Sequence, residues 1–205
     1  MSTILEQVNN YYTQKIIAHG ATPQGVDWNG EDSQNLRFAI LSKIIGNDSN
    51  AEILDYGCGY GGMFEFYEKN NFNIQYSSFD VSEKMIESAI QKFGTSKADW
   101  FFTPPAKSYD YIIASGIFNV KLSSTEDEWK NYIEETLKAI DKISTKGFSF
   151  NLLTSSSDKE YMRDYLFYAD PTWLFDFCKK NFSKHVALLH DYPLYEFSIL
   201  VRKSI

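Results

Sequence analysis

Ile53-Leu-Asp-Tyr-Gly-Cys-Gly-Tyr-Gly-Gly62 is the stretch from which the fold is read. Residues 52–56 form a short apolar run of strand type, and 63–70, after the glycines, have helical spacing. Glycines between a strand and a helix let the backbone turn tightly and let a ligand approach without meeting a Cβ. Outward from this unit the pattern repeats. Residues 73–80, 98–102, 109–115 and 147–154 read as strands, and 82–93, 126–144 and 171–182 as helices. Residues 185–190 and 196–202 read as two strands around a Tyr-Pro turn. Such alternation predicts an α/β fold with a doubly wound, mostly parallel sheet. The closing pair is too close for a crossover helix and should be antiparallel. Residues 154–168 carry Tyr161, Tyr165 and Tyr168, spaced either for an amphipathic helix or for an aromatic wall.

Upstream, residues 3–18 and 32–45 have helical spacing, and Thr3 with Glu6 suggests a capping box. Neither helix has a place in the sheet. Residues 1–48 are therefore expected to form a helical cap over a core of residues 49–205, within one domain. In this arrangement Tyr11, Tyr12, Gly25, Val26 and Trp28 would close as a lid on whatever the glycine loop holds.

Gly57, Gly59 and Gly62 match the G-x-G-x-x-G spacing of dinucleotide loops, a weak signal alone. Asp55 separates the possibilities. A pyrophosphate beside this loop would be repelled by a carboxylate, which argues against a nicotinamide-dependent oxidoreductase. S-adenosylmethionine carries an ammonium and a sulfonium and no phosphate, so the same carboxylate attracts it. Asp80 ends the second strand about 20 residues later, where an acidic side chain accepts hydrogen bonds from both ribose hydroxyls. The alternative, that both aspartates cap helices, leaves the glycine cluster unexplained.

Ile53-Leu-Asp-Tyr-Gly-Cys-Gly-Tyr-Gly61 resembles the first motif of class I S-adenosylmethionine-dependent methyltransferases. Phe79-Asp-Val-Ser-Glu-Lys-Met85 resembles their second, and Tyr109-Asp-Tyr-Ile-Ile-Ala-Ser115 their fourth-strand motif. The resemblance covers residues 50 to the C-terminus. It implies seven strands with an antiparallel last one, Asp55, Gly57 and Gly59 around the methionine moiety, and Asp80 at the ribose. It also implies Val81 or Met85 in the adenine pocket, Asp99 and Trp100 at the adenine edge, and Ser115 beside the donor. Gly20-Ala-Thr-Pro-Gln-Gly-Val-Asp-Trp28, Ser115-Gly-Ile-Phe-Asn119 and His190-Asp-Tyr-Pro-Leu-Tyr-Glu-Phe197 resemble a small bacterial subgroup associated with surface-polysaccharide and other small-molecule pathways.

Ligands of open α/β sheets sit beyond the carboxyl ends of the strands. Phe118, Asn119, Asn151, Tyr168 and Tyr192 are accordingly candidates for holding an acceptor, and Tyr12 and Trp28 for closing on the donor. Arg37 either pairs with the methionine carboxylate or makes a surface contact. His190, at the end of a strand and next to Asp191, is the candidate general base if the acceptor is a hydroxyl; the bland reading is a histidine satisfying backbone groups. The expected reaction is in-line methyl transfer to an oxygen or nitrogen of a small-molecule or sugar-linked acceptor. A donor-binding protein without turnover is the alternative.

A formal net charge of -7 disfavours nucleic acid as a partner. Cys58 and Cys178 are the only cysteines, which argues against a disulfide framework. Three scattered histidines and no Cys/His cluster give no support to a metal site. The N-terminus lacks a signal-peptide pattern and no apolar run approaches the roughly 20 residues of a membrane span. A cytoplasmic monomer or homodimer is expected.

Overall fold

The computed structural model describes residues 3–28 and 30–203. Seven strands, β1 (Ala51–Tyr56), β2 (Ile74–Phe79), β3 (Ala98–Phe101), β4 (Tyr109–Ala114), β5 (Ser144–Leu153), β6 (His185–Leu189) and β7 (Glu196–Arg202), form one sheet in the order β3-β2-β1-β4-β5-β7-β6. Neighbours run parallel from β3 to β5, and only β7 is antiparallel to the rest, slotted between β5 and β6. This is the sheet expected from the sequence.

Side-chain alternation along the strands sorts two apolar layers. Leu54, Ile112, Phe148, Phe150, Phe197, Ile199 and Val201 face one side, where α5 (Glu126–Ile143) and α6 (Pro171–Asn181) cover them. Ile53, Ile113 and Leu200 face the other, against α2 (Glu31–Ser42) and α3 (Gly62–Lys69), with α4 (Glu83–Phe93) following β2. The strands are buried on both faces, which is why they read as apolar runs rather than as clean alternation. Helix α5 starts at a capping box, Thr125 with Glu128, and has three acidic residues in its first turn. Its stripe of Trp129, Ile133, Leu137 and Ile140 is buried at the 4-4-3 spacing of one helix face.

Helix α1 (Ile4–His19) begins at the expected Thr3–Glu6 capping box. It lies over the strand ends together with a short 3-10 turn, Pro23–Val26, held by Asp27, which accepts from Tyr11 Oη and Lys15 Nζ at 2.6 Å each. Thr13 and Ser82 hydroxyls meet at 2.8 Å and tie α1 to the start of α4. The second helix is not part of a lid. Phe38, Leu41, Ile44 and Ile45 pack on the sheet, so α2 and the turn after it form a core layer and the cap is limited to α1 and residues 20–28. Residues 154–168 are not an amphipathic helix either. Apart from a 3-10 turn at Lys159–Tyr161 they are irregular, fixed by the bridges Val120↔Leu166 and Thr154↔Ala169. Pairing with the loop after β4 overrides the helical spacing of the tyrosines.

Candidate active site

The order of strands reverses between β1 and β4, and this switch point opens a crevice at their carboxyl ends. The loop after β1 turns into it with φ of +84°, +55° and +85° at Gly57, Gly59 and Gly61. Gly57 and Cys58 N–H donate to the Phe79 carbonyl at 2.7 and 3.0 Å, pinning the loop to the end of β2. Gly59 also lies close to the lid, where a Cβ would come within 2.7 Å of Val26 Cγ1. Left-handed backbone and close approach together demand glycine there.

A cavity of about 290 Å³ lies between this loop and α1. Nine sequence-predicted residues line it: Asp55, Gly57, Gly59, Asp80, Val81, Met85, Ser115, Tyr12 and Trp28. Of the expected lid, Val26 also lines the cavity; Tyr11 is instead bound to Asp27, and Gly25 packs under Ile16. Sequence reasoning missed Gln34, Tyr56, Tyr60, Phe102, Pro104, Ile117, Tyr132 and Thr136. Tyr132 and Thr136 stand one helical turn apart beside the buried stripe of α5, the one signal that would have suggested them.

Both strand-end carboxylates are buried. Asp55 accepts from Tyr76 Oη at 2.6 Å, yet burial dominates and, with a smaller push from Asp80, raises its pKa to about 7. Asp80 accepts from Gly59 N–H and Ser82 N–H, each at 2.8 Å. Burial raises Asp80 to about 6 against those two bonds. The second aspartate therefore braces the glycine loop. It does not cap α4, whose N-cap is Ser82. Burial also pushes the hydroxyls of Tyr12 and Tyr132 up, so both stay protonated near neutral pH. Ser115 Oγ is buried without a hydrogen-bond partner among the described residues.

Other predicted residues lie elsewhere. Asp99 is exposed on β3 and Trp100 stacks on Phe93, with its indole N–H on the Gly94 carbonyl, so neither lines the cavity, which Phe102 and Pro104 line instead. Phe118 is fully buried core beneath Trp129. Asn119 accepts from Leu153 N–H and tethers β4 to β5. Tyr168 Oη accepts from Arg163 N–H, and Tyr192 pairs with Ser198, both off the cavity lining. Asn151 is buried in β5, its amide spent on Gly116 and Glu196. Arg37 is no surface residue: it is buried and ion-paired to Glu196 at 2.6 Å. His190 is exposed beyond β6, the sheet's edge strand. Three strand spacings, about 14 Å, separate that strand from β4. It does not line the cavity, because β7 inserts between β5 and β6 and displaces β6 outward.

Residues 31–164 match the family model of methyltransferase domains. The chain belongs to this methyltransferase family. The presumed methyltransferase Rv1506c of Mycobacterium tuberculosis is 48% identical over 164 residues, which are 79% of this chain and 99% of that protein. Among solved structures, human N-acetylserotonin methyltransferase in complex with S-adenosylmethionine aligns over 100% of this chain and 60% of its own, with a TM-score of 0.70 and 11% identity. Magnesium protoporphyrin IX methyltransferase from Synechocystis, with the same compound bound, aligns over 100% and 86% with a TM-score of 0.56 and 13% identity. The cavity of this methyltransferase has the features that such a donor would need: a buried carboxylate for the ammonium, a second at the end of β2, and walls of aromatic rings. Among the described residues no helix is long and apolar enough to cross a membrane, and no group of three His, Cys, Asp or Glu is placed to hold a metal ion.

Proposed function

We propose that this chain moves the methyl group of S-adenosylmethionine to an oxygen or nitrogen of a small-molecule or sugar-linked acceptor by in-line displacement. The observation that carries the donor assignment is Asp55, a buried carboxylate facing the cavity beside a left-handed glycine loop. The donor supplies a methyl already activated by its sulfonium. Asp55 then holds the ammonium, while Asp80 takes the ribose hydroxyls on the lone pairs left by Gly59 and Ser82. Val81, Met85 and Phe102 wall the adenine. Helix α1 excludes water through Leu5, Val8 and Tyr12. Alignment and dryness are the chief contributions of the protein to such a displacement. We read residues 1–205 as one such domain acting in the cytoplasm, as monomer or homodimer, with the net charge of -7 weighing against nucleic-acid acceptors.

His190 is left out of this reading because of its exposure and its distance from the cavity. Replacing it with Ala should leave both donor affinity and turnover unchanged. A loss of turnover at constant donor affinity would restore it as the base. The donor assignment is tested by titration calorimetry with S-adenosylmethionine, S-adenosylhomocysteine and NADH. Micromolar binding of the first two and none of the third is expected; binding of NADH alone would overturn the reading.

A further inference from the structure

A closed circuit of contacts runs beside the donor cavity. Gly116 N–H donates to Asn151 Oδ1 at 2.8 Å, and Asn151 Nδ2 donates to Glu196 Oε2 at 3.0 Å. Glu196 Oε1 lies 2.6 Å from Arg37 Nε, and the Arg37 guanidinium carbon stands 3.8 Å over the Trp28 ring. Trp28 returns to the start, its six-membered ring filling the space a Cβ on Gly116 would need. Five segments meet in this circuit: the lid, α2, the loop after β4, β5 and β7. The register explains it. Asn151 and Glu196 point to the sheet face covered by α2, where Ser149 also donates to the Leu41 carbonyl, one turn beyond Arg37.

We propose that Arg37 is a positioning residue which, through this circuit, fixes Trp28 as the cavity wall beside the loop after β4. Trp28 and Gly116 line the cavity, whereas Arg37 does not. Arg37 therefore acts behind the ring and is not a ligand of the donor carboxylate. The arrangement is poor as a stabilising device alone. Two charges are buried, and Arg37 Nη1 has no hydrogen-bond partner among the described residues, a cost that an apolar pair would avoid. What a guanidinium offers here is a planar cation that stacks on an indole while its edge meets a carboxylate. Trp28 sits outside any helix or strand, and its ring is oriented by these side-chain contacts.

What the wall encloses rests on the donor reading; the circuit itself does not. The test uses the full chain, with S-adenosylhomocysteine as probe, and compares R37K, W28L and the double variant. Lys keeps the charge opposite Glu196 and loses the planar stack. R37K should weaken binding about five-fold, the scale of one cation–π contact. In the W28L background the same change should have no further effect. The Trp28 emission, taken as wild type minus W28L, should also become accessible to acrylamide in R37K. An equal loss from R37K in both backgrounds would make Arg37 a direct ligand and overturn the proposal, as would a Trp28 that stays protected. If R37K fails to fold, E196Q, which keeps a hydrogen bond to Asn151, serves in the same comparison. Should the wild type not bind the probe at all, the donor reading falls, and the acrylamide measurement still decides whether Arg37 holds Trp28.

Discussion

Replacing Asp55 with Asn is expected to lower affinity for S-adenosylmethionine by roughly 100-fold, the cost of removing one partner from a buried, hydrogen-bonded charge pair. Asn keeps an oxygen for Tyr76 Oη, so the cavity holds its shape and the loss reports the charge. The pH dependence has a definite sign. With its pKa raised to about 7, Asp55 in the free protein is largely protonated at pH 6, and the donor ammonium requires the carboxylate. Affinity should therefore fall as pH drops below about 7, with a proton released on binding, and D55N should abolish that dependence. Stability follows the opposite course. Between the unfolded carboxylate range and pH 7 the unfolded chain gives up protons that Asp55 and Asp80 keep, so these two groups destabilise the ligand-free fold as pH rises through that window. The ligand-free D55N variant should consequently melt higher than wild type at pH 8. Calorimetry in buffers of different ionisation enthalpy, with thermal melts at pH 5 and pH 8, checks both signs. Unchanged donor binding in D55N would remove Asp55 from the site.

Trp129→Ala is expected to cost roughly 3–5 kcal/mol of folding stability, the usual range for deleting a large buried aromatic side chain. Trp129 is fully buried, contacts Tyr132 with ring centroids 4.9 Å apart, and donates Nε1–H to the Phe118 carbonyl at 2.9 Å. Truncation therefore leaves a void and an unpaired carbonyl. Trp129→Phe, which keeps most of the ring volume, should cost less than half as much. Urea denaturation followed by far-UV circular dichroism gives both numbers. A loss under about 1 kcal/mol in the Ala variant would mean that the loop after β4 repacks freely.

The sheet and the glycine loop were legible because their signals are local. A glycine cluster after an apolar run, and carboxylates at two strand ends, read the same in the chain as in space. The misplacement of His190 has a different source. The hairpin itself was visible in the sequence, but which of its strands pairs with β5 is a tertiary choice, and pairing through β7 put His190 at the far edge. Glu196 was overlooked for a related reason. A lone carboxylate at the head of Glu196-Phe-Ser-Ile-Leu-Val201 looks like a strand boundary until Arg37 arrives from α2. Tyr132 and Thr136 reach the cavity from the face of the sheet that α5 covers, and their one-turn spacing beside the buried stripe does not by itself tell a reader which cavity they meet.

The position of β7 bears on how the chain comes to be folded. This strand is made after β6 yet lies inside it, in register with β5 from Gly147↔Arg202 to Leu153↔Glu196. On the ribosome, β1 to β5 emerge with one flank of the sheet unsatisfied, and β6 has no permanent neighbour until β7 arrives. Non-local pairing of this kind is slow and leaves strand edges open meanwhile. Glu196, which completes the ring of contacts behind Trp28, belongs to that same late segment. A nascent chain arrested before β7 should therefore lack the support behind Trp28 and bind the donor poorly.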